Sequence, residues 1–335
     1  MSLFDEKAMC GLGRGLSETG KLHPDGRVSA IAELRRFAQV AADEEPDAIF
    51  PFATSAVRDA SDATDFVDAV KAATGFDIEI ISGLEEARLA AEGVAGAVPG
   101  ATGLVGDLGG GSLELVWLEN GLVRDQATLP IGALRRDAGA PVDTTAKWID
   151  KGLKDIDWLP KCEGKPFYLV GGAWRAFARA HMRQENYPLN VIHHYTMPAA
   201  SALELAEIFS MMSRRSAELL ETVSKKRREI MPYAALVLAR VVRRAKPDSV
   251  IASAHGLREG FVRDRFGAAN SDPLLDYCRR AGAASARIAP SGDVILSWVT
   301  PLFPKEDKAT LRLIEAACWL ADTAGRDHPD RRAFI

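Results

Sequence analysis

The sequence is poor in cysteine and in long apolar runs, and each shortage excludes a class of protein. Its 335 residues include only four cysteines, with no CxxC pair, which argues against a zinc site and against a disulfide framework. No window approaches the ~18 uninterrupted apolar residues of a membrane span. The N-terminus has acidic residues where a secretion signal would need basic ones. We therefore expect a cytoplasmic protein without a membrane partner.

Composition is otherwise ordinary, but the charge is unevenly divided along the chain. Apolar residues make up 47% and charged residues 26%, which excludes a disordered chain, and the length predicts two or three domains. Residues 1–100 hold 9 Lys and Arg against 18 Asp and Glu, whereas residues 201–270 hold 13 against 8. The basic region can take an anionic ligand, although two solvated surfaces are the simpler explanation. We expect no nucleic-acid partner.

Hydrophobic periodicity predicts an α/β chain, because a hairpin meander is followed by alternating strands and helices. Alternation and turn residues predict strands at 48–54, 76–81, 103–107, 113–119, 122–130, 167–170 and 249–254. Helical spacing predicts helices at 27–40, 61–72, 84–94 and 174–182, over most of 199–245, and at 256–266 and 271–335. Ser61 is the predicted N-cap of the second helix, and Ser82 with Glu85 forms a predicted capping box.

The segment 107–114 (DLGGGSLE) carries the strongest chemical motif, three glycines between two strands. Positive φ at the glycines would let the loop amides converge on a phosphate. Asp107 and Glu114 would face the open side of the loop, where a cation that bridges phosphate oxygens needs carboxylates. The alternative is a glycine-rich hairpin with solvated acids, since the spacing fits neither GxGxxG nor a P-loop. The candidate phosphate-binding residues of the loop are Gly109, Gly110, Gly111 and Ser112.

Three further segments place reactive or flexible residues at the ends of predicted elements. Glu86, in the first turn of a helix, can activate a water, or it is a surface acid favoured by the helix dipole. Thr54 and Arg58 follow a strand and suit phosphate oxygens, or they form a helix cap with a surface ion pair. Gly171 and Gly172 join a strand to a helix, a junction that binds an anion or simply packs closely.

Two polar runs carry weaker hypotheses. The basic run at 225–228 (KKRR) is typical of a solvated helix face, and it can also attract a long polyanion. The pair His193-His194 lacks the spacing of helical metal ligands, so we interpret it as structural.

In their order along the chain, six segments resemble the exopolyphosphatase/guanosine pentaphosphate phosphohydrolase (Ppx/GppA) family. They are ATSAVRDA at 53–60, TGFDIEIISGLEEARLA at 74–90, LVGDLGGGSLELV at 104–116, LPIGALR at 129–135, LVGGAWRAFA at 169–178 and SAHGLREGFV at 253–262. Their common order is more specific than any one motif. The resemblance implies two ribonuclease-H-like α/β lobes of the actin/Hsp70/sugar-kinase superfamily, with the active site in the cleft between them, plus a short helical C-terminal segment.

The resemblance also implies an activity and assigns roles to residues. It implies removal of the terminal phosphate from inorganic polyphosphate or guanosine pentaphosphate, with Mg²⁺ as the cofactor. Glu86 corresponds to the proposed water-activating base, and Asp107 and Glu114 correspond to acids that assist metal and phosphate binding. The phosphate-binding glycine loop maps to 109–112, and the motif arginine maps to Arg58. Family members are often dimers, so a homodimer is a further expectation.

The resemblance predicts how the chain divides and where it departs from the family. We expect a first α/β lobe at 1–100, a second at 101–250, a return to the first at 251–270 and a partial helical region at 271–335. The family's leading hairpin with its D-x-G-S-N loop is not found, so we expect an incomplete first lobe and half of the phosphate clamp. Leu113 stands where the family commonly has Thr, and no HD-type segment follows.

Two other functions remain open at this stage. One is an ATP-using kinase of the same superfamily, and the other is a non-catalytic protein that binds polyphosphate or guanosine polyphosphates. The motifs do not separate polyphosphate from guanosine pentaphosphate, because both end in the same phosphoanhydride.

Overall fold

A computed structural model describes residues 6–135, 140–210, 225–267, 272–285 and 291–323. The protein divides into two compact units. The larger spans Glu6–Arg265, and the smaller includes Phe266–Ile335. Among the residues described, no helix combines the length and the apolar character needed to cross a membrane.

The larger unit begins with a small α/β lobe. Its elements are α1 (Leu16–Thr19), α2 (Pro24–Glu44), β1 (Phe52–Ala53), α3 (Ser55–Arg58), α4 (Ala63–Thr74) and β2 (Glu79–Ile80). β1 and β2 pair in parallel, and both are shorter than the predicted strands 48–54 and 76–81. The core of the lobe includes Leu22, Phe66 and Val70.

The helix α4 shows one wrong prediction. Asp62, not Ser61, occupies its N-cap position. The Ser61 hydroxyl instead donates to the carbonyl of Gly20 at 2.8 Å, while the Asp62 carboxylate accepts from the Leu22 amide at 3.0 Å. The segment is therefore used to fasten the lobe together rather than to cap its own helix.

A six-stranded sheet forms the centre of the larger unit and follows α5 (Gly83–Ala97). Its strands are β3 (Gly103–Leu108), β4 (Leu113–Glu119), β5 (Leu122–Leu129), β6 (Phe167–Val170), β7 (Thr196–Pro198) and β8 (Ser249–Ala252). The order across the sheet is β5-β4-β3-β6-β8-β7. β3, β4 and β5 form an antiparallel meander, and β6 and β8 continue the sheet in parallel. This is the order of a ribonuclease-H-like lobe, with β7 added at the edge.

Helices cover both faces of the sheet. They are α6 (Val142–Lys154), α7 (Gly172–Gln184), α8 (Ala199–Ser210), α9 (Lys225–Ala245) and α10 (Leu257–Phe266), besides α5. Because successive strand side chains point to opposite faces, Leu104 joins the core with α6, α7 and α9, whereas Val105 packs with α5. The side chains of the basic run at 225–227 lie outside the described residues, so its polyanion hypothesis stays a prediction.

The smaller unit is helical, as predicted. It contains α11 (Pro273–Ser285), α12 (Ser291–Val299) and α13 (Lys308–Leu320). Asp307 caps α13 by accepting from the Thr310 amide at 2.7 Å. Ion pairs of Arg312 with Asp272 and of Arg279 with Glu315 join α13 to α11 and its N-terminal end.

Candidate active site

Three carboxylates meet where β3 ends and β4 begins, beneath the start of α5. Asp107 and Glu114 are direct cross-strand partners, so both side chains lie on one face of the sheet. The next residues on that face, Val105 and Val116, pack against α5. Glu86 lies in the first turn of α5, and its charge acts on both Asp107 and Glu114. The pleat of the sheet and the start of one helix therefore bring the predicted acids together.

The first turn of α5 sits directly on β5. The Ser82 hydroxyl accepts from the Glu85 amide at 3.1 Å, as the capping box predicts. The Glu85 carboxylate accepts from Arg88 at 2.7 and 2.9 Å, which the predicted box did not include. A Cβ on Gly83 would lie 2.7 Å from the Thr128 methyl group, so only glycine allows this approach.

Glu86 is buried beside an arginine of the small lobe. Glu86 is 7% exposed. Nη1 of Arg58 donates a hydrogen bond to Oε2 of Glu86 at 3.1 Å. Arg58 also donates to the carbonyl of Ile81 at 3.0 Å. Burial raises the pKa of Glu86, while hydrogen bonds from Arg58 and Thr54 oppose that rise. The surface-acid alternative for Glu86 is therefore wrong.

Glu114 is the most enclosed of the three acids, at 1% exposure. Thr128 Oγ1 donates to its Oε1 at 3.1 Å. Its Oε2 and the Ser112 hydroxyl are both buried and form no hydrogen bond of ordinary geometry among the described residues, although Ser112 lies close enough to lower the pKa of Glu114. Burial and the negative charge of Glu86 raise the pKa of Glu114 to about 8. A buried carboxylate with one unpartnered oxygen is suited to receive a cation.

Asp107 completes the group. Burial and the charge of Glu86 raise its pKa to about 6, and the positive charges of Arg175 and Lys7 oppose that rise. In the described part of the chain, no three or more His, Cys, Asp or Glu are arranged to enclose a metal by themselves. Mg²⁺ is usually held by one or two carboxylates together with substrate phosphates and water. The oxygen donors of Asp107 and Glu114 fit that mode.

The glycine loop is shaped by packing, and the predicted positive φ is wrong. None of Gly109, Gly110 and Gly111 has a positive φ. A Cβ on Gly111 would overlap the Ser55 hydroxyl, and one on Gly110 would lie 3.2 Å from a methyl group of Leu134. The loop needs glycine because other segments press against it.

The segment after β5 holds the loop from one side. The amide of Ala133 donates to the carbonyl of Gly109 at 3.1 Å, and the amide of Leu134 donates to that of Gly110 at 2.7 Å. Gly132 lies so close to the backbone of the loop that a Cβ has no room. The resembling segment LPIGALR therefore acts as a support for the loop.

A pocket of about 310 Å³ opens beside this loop. Its lining includes Asp107, Gly109 and Gly110 from the loop, and Gly171 and Gly172 from the β6–α7 junction. Gly171 has a φ of 95°, and a Cβ there would lie 2.8 Å from Asp107 Oδ1. Because α7 begins at Gly172, its N-terminus lies at the pocket, where the helix dipole favours an anion.

Sequence reasoning missed four charged residues of this pocket. They are Lys7, Arg175, Arg258 and Glu259. Arg175 and Arg258 stand within two of the resembling segments, so those segments held a signal that was not used. The charge of Glu86 acts on Asp107, which lines the pocket. The predicted site residues outside the lining are Thr54, Arg58, Glu86, Gly111, Ser112 and Glu114.

The sheet order defines an α/β protein with a ribonuclease-H-like lobe, and a pocket lined by charged residues lies beside its glycine loop. A profile of the Ppx/GppA phosphatase family matches residues 1–268, and the chain belongs to that family.

Relatives are similar over most of the chain. Exopolyphosphatase 2 of Mycobacterium tuberculosis is 26% identical over 272 residues, which cover 75% of this chain and 85% of that protein. Exopolyphosphatase 1 of Mycobacterium leprae is 26% identical over 273 residues, 76% of this chain and 79% of that protein. A solved exopolyphosphatase-like protein has a TM-score of 0.68 at 27% identity, over 77% of this chain and 87% of its own. The structure of an exopolyphosphatase from Cytophaga hutchinsonii has a TM-score of 0.71 at 21% identity. The match covers 78% of this chain and 89% of that one, and it supports the fold described above.

Proposed function

We propose that this protein hydrolyses the terminal phosphoanhydride bond of inorganic polyphosphate, of guanosine pentaphosphate, or of both. The observation that carries the proposal is the burial of Glu86 beside Asp107 and Glu114, next to a pocket with cationic residues. Family membership and the names of the relatives support the same chemistry.

In this proposal Glu86 is the water-activating base. A base works best when its pKa lies near the working pH, and burial raises the pKa of Glu86 toward that range. Arg58, which already holds one oxygen of Glu86, orients the carboxylate and contacts oxygens of the transferred phosphoryl group. Thr54 assists by hydrogen bonding at the same carboxylate.

The glycine loop and the pocket bind the phosphates. The amides of Gly110, Gly111 and Ser112 stabilise charge on the terminal phosphoryl group. The Gly109 amide donates to the Ser112 carbonyl at 3.0 Å and closes the loop. The N-terminus of α7 at Gly171 and Gly172 takes a neighbouring phosphate. Mg²⁺ bound by Asp107 and Glu114 would neutralise charge that develops on the phosphoryl oxygens.

The test replaces Glu86 and its neighbour separately. Glu86→Gln keeps the size of the side chain and removes the base, so phosphate release should fall by roughly 10²–10⁴ while polyphosphate binding by calorimetry persists. Glu85→Gln, at the more exposed acid that pairs with Arg88, should leave release close to that of the parent. Equal release by Glu86→Gln and the parent would remove Glu86 from the mechanism.

The same assay compares the proposal with its alternatives. Release of free phosphate without any nucleotide contradicts an ATP-using kinase. Tight binding of polyphosphate or guanosine pentaphosphate without release, with and without Mg²⁺, contradicts the hydrolase and favours a binding protein. Rates measured side by side on polyphosphate and guanosine pentaphosphate decide which substrate is preferred.

A further inference from the structure

We infer that His193 is a positioning residue of the anion pocket, because its ring fastens the loop 253–256 that forms one wall of that pocket. The inference depends on the proposed function only for the identity of the anion.

The contact joins two segments that are distant in sequence. Nδ1 of His193 accepts a hydrogen bond from the Ala254 amide at 3.2 Å. The ring of His193 also stacks on that of His255, with centroids 5.0 Å apart and planes 23° apart. Ala254 and Gly256 both line the pocket. A side chain outside the pocket therefore holds Ala254, which lines the pocket, and its neighbour His255, which does not.

The sheet places His193 at this position. The His194 amide donates to the carbonyl of Ala252, and the Ala252 amide donates to that of Tyr195, both at 2.9 Å. These bonds lie at the junction of β7 and β8, immediately before the loop. His193 thus reaches the loop from the backbone ladder of an edge strand, which fixes its distance from Ala254.

Other contacts hold the two ends of the loop. The Ser253 hydroxyl donates to the carbonyl of His255 at 2.7 Å. Arg175 Nη1 donates to the carbonyl of Ser253 at 3.4 Å, and the Gly256 amide donates to Glu259 at 2.9 Å. His193 supplies the contact to the amide at the middle of the loop.

The hydrogen bond requires one protonation state of the ring. A ring nitrogen that accepts carries no proton, so His193 must be neutral with its proton on Nε2. Burial, and after it the charges of His255 and His194, lower the pKa of His193 to about 4. Arg175 and Glu259 are charged groups that bond to the loop, and Arg258 lines the same pocket. The hydrogen bond from the Ala254 amide to His193 is therefore present throughout the neutral pH range. Protonation of Nδ1 would place an N–H group opposite the Ala254 N–H and break the bond.

The experiment uses two substitutions of His193 and one of its neighbour. His193→Phe keeps a flat ring and removes the acceptor, whereas His193→Asn keeps an acceptor near the position of Nδ1 and does not titrate. His194→Asn is the matched control, because His194 has a φ of 64°, which Asn tolerates. The readouts are KM and kcat for polyphosphate from about pH 3.5 to 8, a range that includes the pKa of His193 near 4, and hydrogen exchange of the Ala254 amide.

We expect His193→Phe to raise KM about tenfold, the effect of one lost hydrogen bond, with kcat nearly unchanged and faster exchange at Ala254. His193→Asn should resemble the parent at neutral pH. At acid pH the KM of the parent should rise as His193 becomes protonated, whereas the KM of His193→Asn should not. If His193→Phe fails to fold, that difference in the pH profile remains the test.

Two results would overturn the inference. The first is unchanged KM and unchanged Ala254 exchange in His193→Phe, and the second is the same acid profile in His193→Asn and the parent. If the parent released no phosphate from either substrate, the proposed function would fail, while amide exchange at Ala254 would still decide the role of His193.

Discussion

Asp107 and Glu114 lie directly opposite each other on antiparallel strands, so two carboxylates share one face of the sheet, with Glu114 buried and Asp107 half-buried at the pocket. Like charges in this position disfavour each other. The pKa of Asp107 rises to about 6 and that of Glu114 to about 8, with burial as the largest cause for each. Without a cation the pair is therefore most easily held in a protonated state. The local fold is a suitable receptor for a divalent ion.

Stability of the metal-free protein should fall as the pH rises. Both folded-state pKa values lie above the ordinary carboxyl range, so the folded protein binds more protons than the unfolded chain between about pH 4 and 8. In chelator, the Tm should be higher near pH 5 than near pH 8. Glu114→Gln should flatten that slope, and Mg²⁺ should raise the Tm of the parent at pH 8 more than that of the variant. Identical slopes by circular dichroism would contradict the prediction.

Arg58 should set the acid limb of the pH–rate profile. Its guanidinium donates to Glu86 and lowers the pKa of that carboxyl against the larger effect of burial. Arg58→Met removes this charge, so the pKa of Glu86 should rise and full deprotonation should need a higher pH. We expect the acid limb of kcat to move to higher pH, besides a lower maximal rate.

The matched control for Arg58 is Arg88→Met. Arg88 pairs with Glu85 and Asp264 on the outer side of α5. Its removal should leave the acid limb in place. If the acid limb of the pH–rate profile stayed in place in Arg58→Met, the ionisation of Glu86 would not control the rate.

Thr128 should act on the site through two neighbours. Its hydroxyl donates to Glu114, and its side chain packs on Gly83 at the start of α5. Thr128→Val keeps the shape and loses the donor, so the Mg²⁺ concentration for half-maximal activity and the calorimetric Kd for Mg²⁺ should both rise severalfold. Thr128→Ser should restore both values. A Val variant with the parent's Mg²⁺ affinity would contradict this role.

The strands and the meeting of the acids were predictable because both depend on local patterns. The bounds of β4 and β6 agree with the predicted 113–119 and 167–170. The motif spacing placed Asp107 and Glu114 on adjacent strands, where the alternation of side chains decides their common face. The turn Asn120-Gly121 has positive φ at both residues, as its sequence predicts.

What could not be predicted depends on contacts between distant segments. β7 is three residues long and is defined by its pairing with β8, so periodicity gives no signal for it. Gly110 and Gly111 follow from the approach of Leu134 and Ser55, which a local argument about φ does not include. The depressed pKa of His193 likewise depends on its burial and then on the proximity of His255, 62 positions later in the chain.

Gly171 should be the least replaceable of the pocket glycines, and Gly164 offers a matched comparison. Both have positive φ, 95° and 68°, but a Cβ on Gly171 would lie 2.8 Å from Asp107 Oδ1 and from the Leu108 carbonyl, whereas Gly164 faces open space. Gly164→Ala should cost only backbone strain, about 1 kcal/mol of unfolding free energy. Gly171→Ala should cost about 1–3 kcal/mol and should also displace Asp107, so that Mg²⁺ affinity falls with stability. Chemical denaturation and calorimetry of the two variants separate these effects, since strain alone would leave the Mg²⁺ affinity of both equal to that of the parent.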